Sequence, residues 1–287
     1  MLSDYLNLTK PRISLLFAIT GLTALMAEGS LVGHLFRMVI IVLAIFLVGG
    51  SANAFNQYFE RDIDKTMSRT SARRPLPQGK ITPLNALIFS IVMGIIGTLF
   101  LLYFGGFLSA VFGLGTILFY SFFYTLWLKP RTPYNIVIGG IAGAMGPFIG
   151  WAAATGSVSW VPFLMFLIIF FWTPPHFWAL ALYHKEDYDK VSLPMLPNIA
   201  GDEVTRQQIL YYSWTLIPLS LSLYLIGTFQ WFYGVVALIL SLWFVRKALS
   251  VYQKKNVKVY RGLFLYSIMY LMLLFISMII DTCVFKT

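Results

Sequence analysis

The sequence has little charge. Only 11% of its 287 residues are Asp, Glu, Lys or Arg, whereas 59% are hydrophobic and 17% aromatic; an average soluble protein is about 25% charged. A water-soluble globule of this length could not cover its surface with so few charges. The single cysteine excludes a disulfide scaffold, the absence of a strict glycine period excludes a collagen-like chain, and the apolar content excludes intrinsic disorder. The composition therefore predicts a membrane protein.

Long apolar runs supply the membrane segments. Runs of roughly 20 residues, long enough to cross a bilayer as a helix, recur nine times. They cover about residues 13–33, 38–59, 84–104, 107–128, 134–154, 160–182, 208–228, 230–249 and 263–284. The pattern predicts an all-α, polytopic membrane protein with nine transmembrane helices in a single domain, residues 1–287. The N-terminal segment has neither a signal-peptide cleavage site nor the pattern of a transit peptide, so we expect an uncleaved prokaryotic protein.

The basic residues predict the orientation. The formal net charge is +10, and with nine alternating spans every one of the 21 Lys and Arg residues except Arg37 and Lys286 falls on the side of the N-terminus. The positive-inside rule places that side in the cytoplasm. We therefore expect a multi-pass protein of the bacterial plasma membrane with a cytoplasmic N-terminus. Because topology explains the basic excess, no nucleic-acid partner is expected.

The acidic residues gather on the same side, although orientation does not require it. Most of the eleven lie in the connections after the second and sixth spans: Glu60, Asp62 and Asp64 in one, and Glu186, Asp187, Asp189, Asp202 and Glu203 in the other. Clusters of both signs at the mouth of a helical bundle favour a metal bound together with a polyanion. A transporter more often places its ionisable groups in the middle of the membrane.

The first connection has the most specific spacing. Asn56, Glu60 and Asp64 are four residues apart, so on a helix they form one column within about 80° of arc. We call these three residues the donor column. An amide and two carboxylates are suitable ligands for Mg²⁺, which completes its coordination with water and phosphate oxygens. Asp62 lies off this face, and we expect it to pair with arginine or to end a helix. The alternative is a solvated loop of ion pairs.

These residues and several later segments resemble a known family. Residues 56–64, NQYFERDID, with Arg-Thr at 69–70 and Arg-Pro-Leu at 74–76, are similar to the first signature of the UbiA superfamily of intramembrane prenyltransferases. The similarity is greatest to the branch that farnesylates protoheme. TKPR at 9–12, YTLWLKPRTPYN at 124–135, PHFWALALYHKEDY at 175–188 and PMLP at 194–197 resemble the same branch. Two positions depart from the family pattern: Glu60 replaces a common Asp, and Tyr183 replaces the first acid of the second signature.

The resemblance implies a fold, a reaction and partners. It implies nine transmembrane helices around a central cavity, Mg²⁺ as cofactor, and farnesyl diphosphate and protoheme IX as substrates of an enzyme that makes heme O. It also implies that Asp187 joins the donor column as a catalytic group and metal ligand at the cytoplasmic side. A downstream heme-modifying oxygenase or a terminal oxidase is an implied partner.

Cations at the same predicted side of the membrane are suited to a diphosphate. Guanidinium groups bind phosphate oxygens through paired hydrogen bonds. We expect diphosphate contacts from a set of seven cations and one tyrosine: Arg12, Arg69, Arg73, Arg74, Tyr124, Lys129, Arg131 and Lys185. The alternative for any one of the basic residues is an anchor that only fixes topology.

His176 is a further candidate catalytic residue. Pro174 and Pro175 precede it and are expected to break the sixth helix, freeing backbone carbonyls near a cavity. His176 would then approach bound heme or a transferred proton. The alternative is a packing histidine bonded to a freed carbonyl.

Four glycines in the fifth span are best explained by packing. Gly139, Gly143, Gly146 and Gly150 are expected to let this helix approach its neighbours closely.

Two other functions stay open. The acceptor could instead be an aromatic acid or a quinone precursor, although Tyr183 and the segment around His176 argue against it. A secondary transporter would predict charged residues near the middle of the membrane and an inverted repeat, and neither is visible in the sequence.

Overall fold

The computed structural model describes residues 1–191 and 193–285, and among these it contains helices and no strand. Lys286, one of the two basic residues assigned to the non-cytoplasmic side, lies outside the described residues. The helices are α1 (Leu2–Leu8), α2 (Pro11–Glu28), α3 (Leu35–Phe59), α4 (Arg61–Thr66), α5 (Ser68–Ser71), α6 (Pro83–Phe100), α7 (Phe107–Leu118), α8 (Asn135–Gly143), α9 (Gly146–Thr155), α10 (Trp160–Tyr183), α11 (Lys185–Asp189), α12 (Leu196–Ile199), α13 (Gly201–Leu225), α14 (Trp231–Lys254) and α15 (Val257–Val284). Two π-helical segments, Leu101–Gly105 and Phe119–Leu128, continue α6 and α7.

Eight helical segments of the described chain are long and apolar enough to cross a membrane. They are Pro11–Glu28, Leu35–Phe59, Pro83–Gly105, Phe107–Leu128, Asn135–Thr155, Trp160–Tyr183, Trp231–Lys254 and Val257–Val284. The remaining predicted span, 208–228, falls on α13, which has 25 residues but begins with a polar turn and is less apolar than the other eight. The predicted all-α, multi-pass membrane fold is confirmed, with the count differing by this one helix.

One local prediction about helix continuity is wrong. Helix α10 runs without a break through Pro174 and Pro175, because membrane helices tolerate proline where neighbouring groups satisfy the freed backbone. The fifth span consists of two helices, since α8 ends at Gly143 and α9 begins at Gly146. Pro147 lies in the first turn of α9, where its missing N–H costs no hydrogen bond.

The chain divides into two compact units. Unit 1 comprises Met1–Arg131, Met145–Val158 and Glu186–Leu193, and unit 2 comprises Thr132–Ala144, Ser159–Lys185 and Pro194–Thr287, of which the structure describes the residues up to Phe285. The single domain inferred from the sequence stays a prediction.

Unit 1 contains a close contact between α2 and α9. A Cβ atom added to Gly150 would lie 2.1 Å from the backbone oxygen of Gly21, and one added to Gly146 would lie 2.2 Å from Thr20 Oγ1. The close packing predicted for the fifth span is thus confirmed at these two glycines. At Gly143 a Cβ would meet nothing within 4 Å, so there the prediction is wrong.

Unit 2 contains a buried carboxylate in its last helix. Asp281 of α15 is fully buried and accepts hydrogen bonds from the backbone N–H groups of Gln230 (2.7 Å) and Tyr233 (2.9 Å). Gln230 is the N-cap of α14, and Tyr233 is its third residue. The first N–H groups of a helix have no hydrogen-bond partner within that helix. The carboxylate also interacts favourably with the positive end of the helix dipole. Asp281 therefore caps α14 from a different helix.

Removing this cap is expected to destabilise the protein. Asp281→Ala removes the acceptor of both N–H groups, and we expect a loss of about 2–3 kcal/mol in the free energy of unfolding, measured by denaturant titration in detergent. Glu28→Gln is the control, because Glu28 accepts only local hydrogen bonds from Ser30, and we expect a change within about 0.5 kcal/mol. Equal losses in both variants would contradict the capping role.

Candidate functional site

The donor column lies where α3 meets α4 in unit 1. Helix α3 ends at Phe59, and Glu60 caps both helices. The backbone N–H of Glu60 donates to Asn56 O (3.0 Å), and that of Asp64 donates to Glu60 O (2.8 Å). The spacing of four residues is therefore kept across the junction. All three side chains are buried, with 2% of Asn56, 5% of Glu60 and 2% of Asp64 exposed.

Three cations contact the donor column. Lys129 forms an ion pair with Glu60, and Arg74 forms one with Asp64. Arg74 Nη1 also lies 3.7 Å from Glu60 Oε2, so it bridges the two carboxylates. Lys10 Nζ donates to Asn56 Oδ1 at 2.8 Å. The column is therefore a row of oxygen atoms each contacted by a positive side chain.

The charges shift the pKa values of these groups in opposite directions. Burial by itself raises the pKa of Glu60, but the charges of Lys129 and Arg74 outweigh it and lower that pKa to about 2. Burial raises the pKa of Asp64, and the neighbouring Glu60 adds to this, while Arg74 opposes it. Burial and the charge of Arg74 lower the pKa of Lys10. Glu60 is accordingly an anion that its neighbouring cations stabilise.

Asp187 lies in the second acidic connection and contacts the chain just after α4. It is hydrogen-bonded by the Ser68 hydroxyl, by the backbone N–H of Arg69 (3.1 Å) and by Lys190 Nζ (3.3 Å). Although burial opposes it, the hydrogen bonds from Ser68, Arg69 and Lys190 lower the pKa of Asp187. The structure thus brings Asp187 of the second acidic segment to Ser68 and Arg69, which follow the donor column in the sequence, within unit 1. Among the residues that it describes, no group of three or more His, Cys, Asp or Glu side chains is close enough to hold a metal.

A small cavity lies beside the Glu60–Lys129 ion pair in unit 1. Its volume is about 190 Å³, and its lining consists of five apolar side chains and three polar ones: Phe59, Ile63, Leu126, Pro130 and Leu193, with Glu60, Thr125 and Lys129. The space is therefore amphipathic, with apolar walls next to a buried pair of opposite charges.

The other residues predicted to contact the diphosphate differ in how far they are exposed to solvent. Arg12, Arg73 and Arg131 are exposed, and Arg131 stacks over the ring of Trp127 at 5.5 Å. Tyr124 is partly buried and stacks on Tyr120.

Two further members of that set have different surroundings. The Arg69 Nε atom is buried without a hydrogen-bond partner in the part of the chain that the structure describes. Lys185 belongs to unit 2, where it pairs with Asp202 at 2.7 Å. Of the eight expected side chains, Arg74 and Lys129 are the ones that contact the donor column.

Asp62 lies off the donor column, and His176 belongs to the other unit. Asp62 is exposed and pairs with Lys65 at 3.0 Å and Arg61 at 3.8 Å, as expected for an acid off the column. His176, in unit 2, is buried with 8% exposed and bonds to the hydroxyl of Ser267 rather than to a freed carbonyl.

Sequence reasoning missed Lys10 and Ser68. Lys10 stands within the TKPR segment, but its role depends on a left-handed backbone conformation, with φ 48°, at the start of α2. Such a conformation is uncommon for residues other than glycine and is often associated with functional sites. No signal in the sequence identified Ser68, which meets Asp187 from 119 positions away.

Comparison with known proteins identifies the family to which the chain belongs. The chain belongs to the UbiA prenyltransferase family, whose profile matches residues 14–276. It is 46% identical over 284 residues to a protoheme IX farnesyltransferase of Gloeobacter violaceus, covering 98% of this chain and 92% of that protein. It is 45% identical to a protoheme IX farnesyltransferase of a Synechocystis species, covering 97% and 89%.

Solved structures agree on the fold. The structure of a digeranylgeranylglyceryl phosphate synthase is 18% identical, with a TM-score of 0.79 and 98% of each chain covered. A UbiA homologue from Archaeoglobus fulgidus bound to GPP and Mg²⁺ is 15% identical, with a TM-score of 0.73, covering 96% of this chain and 99% of that one. The protein is thus a multi-pass membrane prenyltransferase.

Proposed function

We propose that the protein transfers the farnesyl group of farnesyl diphosphate to a vinyl group of protoheme IX, with release of diphosphate, and that water adds to complete heme O. The curated relatives of similar length at 45–46% identity carry this activity in their names. The observation in the structure that supports it best is the buried row of carboxylates and cations beside an apolar cavity, because the donor substrate combines a diphosphate with an apolar chain. Membership in a prenyltransferase family argues against the transporter, and the names of the relatives favour protoheme over an aromatic or quinone acceptor.

The donor atoms are of the kind that a hard divalent cation prefers, although the three carboxylates do not lie together as one metal-binding group among the described residues. Asn56, Glu60, Asp64 and Asp187 offer amide and carboxylate oxygens, which Mg²⁺ prefers, and the A. fulgidus homologue is bound to Mg²⁺. We infer that these four residues hold Mg²⁺ here. When bound, it would offset negative charge on the departing diphosphate.

The cations of the chain stabilise the leaving group. As the carbon–oxygen bond of the donor breaks, negative charge grows on the diphosphate, so fixed positive groups lower the energy of the transition state more than that of the bound substrate. Lys129 and Arg74 are already placed beside Glu60 and Asp64. Arg12, Arg69, Arg73, Arg131, Tyr124 and Lys185 remain further candidates for this role.

The apolar side chains of the cavity suit the prenyl chain of the donor. Phe59, Ile63 and Leu126 lie next to the Glu60–Lys129 pair, where the first carbons of the prenyl chain would follow the diphosphate.

The cellular setting follows from the same proposal. The relatives are bacterial proteins, and the basic residues favour a plasma-membrane protein with its N-terminus and donor column at the cytoplasmic side. A heme-modifying oxygenase or a terminal oxidase downstream stays a prediction from the resemblance.

Reconstitution tests the function. Purified protein in lipid nanodiscs with Mg²⁺, farnesyl diphosphate and protoheme is expected to form heme O, identified by chromatography and mass spectrometry, and chelation of the metal is expected to stop the reaction. Parallel reactions offer an aromatic acid or a quinone precursor in place of protoheme. Prenylation of one of these, with protoheme unchanged, would overturn the acceptor assignment.

Lys10 is expected to contribute to binding of the donor. Lys10→Met removes the ammonium group and keeps a side chain of similar length, so we expect the KM for farnesyl diphosphate to rise about 10-fold from the loss of one charge-assisted contact. Steady-state kinetics with a saturating acceptor measures this change. Lys80→Met, an exposed lysine in the same unit, serves as the control. An unchanged KM in Lys10→Met would remove Lys10 from the site.

A further inference from the structure

One ring nitrogen of His176 is left with a free lone pair. His176 Nδ1 lies 2.6 Å from Ser267 Oγ, and the Ser267 hydroxyl donates to Phe264 O at 2.6 Å. A hydroxyl has a single proton, so Nδ1–H must be the donor in the contact with Ser267. This fixes the tautomer and leaves Nε2 as an acceptor. Within residues 1–191 and 193–285, Nε2 has no hydrogen-bond partner.

The imidazole ring is also held in place by aromatic contacts. It stacks on Trp172 (ring centroids 4.4 Å apart) and Phe264 (4.8 Å), and Phe177 meets it edge-on at 4.9 Å. Trp172 Nε1 donates to Ser267 O at 2.8 Å, which ties the same residues together. A neutral imidazole that is oriented by a hydrogen bond at one nitrogen is the usual form of a metal-ligating histidine, with the other nitrogen as the ligand.

Unit 2 also contains a buried guanidinium group. Arg206 of α13 is 6% exposed, with Nη1 3.3 Å from Tyr260 OH and Nη2 2.6 Å from Glu203 Oε2. Its Nε atom is buried and unpartnered among the described residues. Glu203 is half exposed and is shared with Lys255 at 3.3 Å. Arg206 therefore keeps one guanidinium N–H without a partner among the described residues.

Helix α15 aligns these two groups. Tyr260, which contacts Arg206, and Ser267, which contacts His176, are seven residues apart on α15. Seven residues make nearly two turns, so both side chains lie on one face, about 10 Å apart along the axis. Phe264 lies between them on that face. The partners of Arg206 and His176 on α15 are therefore separated by a length of the same order as the distance from the iron of protoheme to a propionate carboxylate at the edge of the porphyrin.

We propose that unit 2 carries the binding site for the acceptor, in which His176 Nε2 ligates the heme iron and Arg206 pairs with a propionate. The inference rests on the proposed function, because it takes protoheme as the substrate. The Nε2 lone pair enters an open axial position of the iron, and no electron or proton is transferred. Ser267 acts as a positioning residue that keeps the ligating nitrogen unprotonated. Attachment at two points restricts how the porphyrin, and so its vinyl groups, can turn.

Heme titration tests the iron ligand. Full-length protein in nanodiscs without farnesyl diphosphate is titrated with protoheme and followed by absorption and electron paramagnetic resonance. We expect an imidazole-ligated spectrum in the native protein and its loss in His176→Phe, which keeps a stacking ring. His34→Phe, at an exposed histidine, should retain the spectrum. Recovery by added imidazole in His176→Gly would show that the variant is folded and lacks only the ligand.

Ser267 is tested by removing and restoring its hydroxyl. Ser267→Ala is expected to weaken protoheme binding about 10-fold, as is typical when the residue that orients a metal ligand is lost, and to alter the ligand-field bands of the iron. Ser267→Thr keeps the hydroxyl and should restore both. Identical spectra and affinities in all three proteins would remove Ser267 from this role.

Esterified heme tests Arg206. Arg206→Met is expected to weaken protoheme binding 10-fold or more, in line with the loss of a hydrogen-bonded charge pair, and to have little further effect on the dimethyl ester, whose propionates carry no charge. This non-additivity is the signature of a direct pair. Arg246→Met, at an exposed arginine stacked on Trp243, is the control. Equal losses of both hemes in Arg206→Met would overturn the propionate contact.

The two proposals fail in different ways. If the native protein makes heme O but His176→Phe keeps the native heme spectrum and affinity, the binding-site inference is wrong and the function stands. If protoheme binds through His176 but no farnesylated heme forms with farnesyl diphosphate and Mg²⁺, the function is wrong and the binding site stands.

Discussion

Asp64→Asn is expected to lower the kcat of heme farnesylation by about 100-fold or more, a typical effect of removing one electrostatic group from a catalytic site. The replacement keeps the shape of the side chain but removes the charge that pairs with Arg74 and that we infer to hold Mg²⁺. The loss would fall mainly on kcat, because the missing interaction is strongest when the diphosphate departs. Initial rates of heme O formation at saturating substrates and several Mg²⁺ concentrations measure the effect.

Asp62→Asn is the matched control for this prediction. Asp62 lies two residues away on the same short helix and has its own ion pairs with Arg61 and Lys65, but it is exposed. We expect its rate to stay within about twofold of the native value, because exposed ion pairs contribute little. Normal activity in Asp64→Asn, or equal losses in both variants, would contradict the special role of the donor column.

Gly150→Ala is expected to cause the largest loss of stability from the addition of a single methyl group. Its Cβ would lie 2.1 Å from Gly21 O and 2.8 Å from Gly21 C, and these backbone atoms cannot move aside as a side chain can. Helices α2 and α9 would have to separate, at a cost of about 3 kcal/mol, the upper end of the usual range for overpacking. The free energy of unfolding in mixed detergent micelles measures this loss.

Gly115→Ala adds the same methyl group but is expected to increase the stability of the protein. Gly115 lies within α7, and a Cβ there meets nothing within 4 Å. Because glycine is less favourable than alanine inside a helix, we expect a gain of about 0.5–1 kcal/mol. A comparable loss of stability in both variants would mean that the contact between α2 and α9 has no special importance.

The spacing of the donor column was predictable because it depends only on the number of residues in a helical turn. Residues four apart on a helix share a face whatever the rest of the chain does, and the structure keeps this pattern across the α3–α4 junction. The apolar runs were readable for the same reason, since each crosses the membrane as one local segment. Only α13, where polar side chains interrupt the run, left the count of spans open.

The partners of the donor column were not predictable. Lys129 is 69 positions from Glu60, and Lys10 is 46 positions from Asn56, so no local rule links them. Lys129 was a candidate only as one of many cations, and Lys10 was missed. The error at Pro174 and Pro175 has another cause: the rule that proline breaks helices reflects behaviour in water, whereas membrane helices can absorb it.

The carboxylate of Asp281 has a consequence for biosynthesis. Helix α14 is synthesised before α15, so the N–H groups of Gln230 and Tyr233 leave the ribosome without the acceptor that they have in the finished protein. Unpaired N–H groups are costly in the lipid interior. The cap of α14 is therefore completed only when the end of the chain has been made.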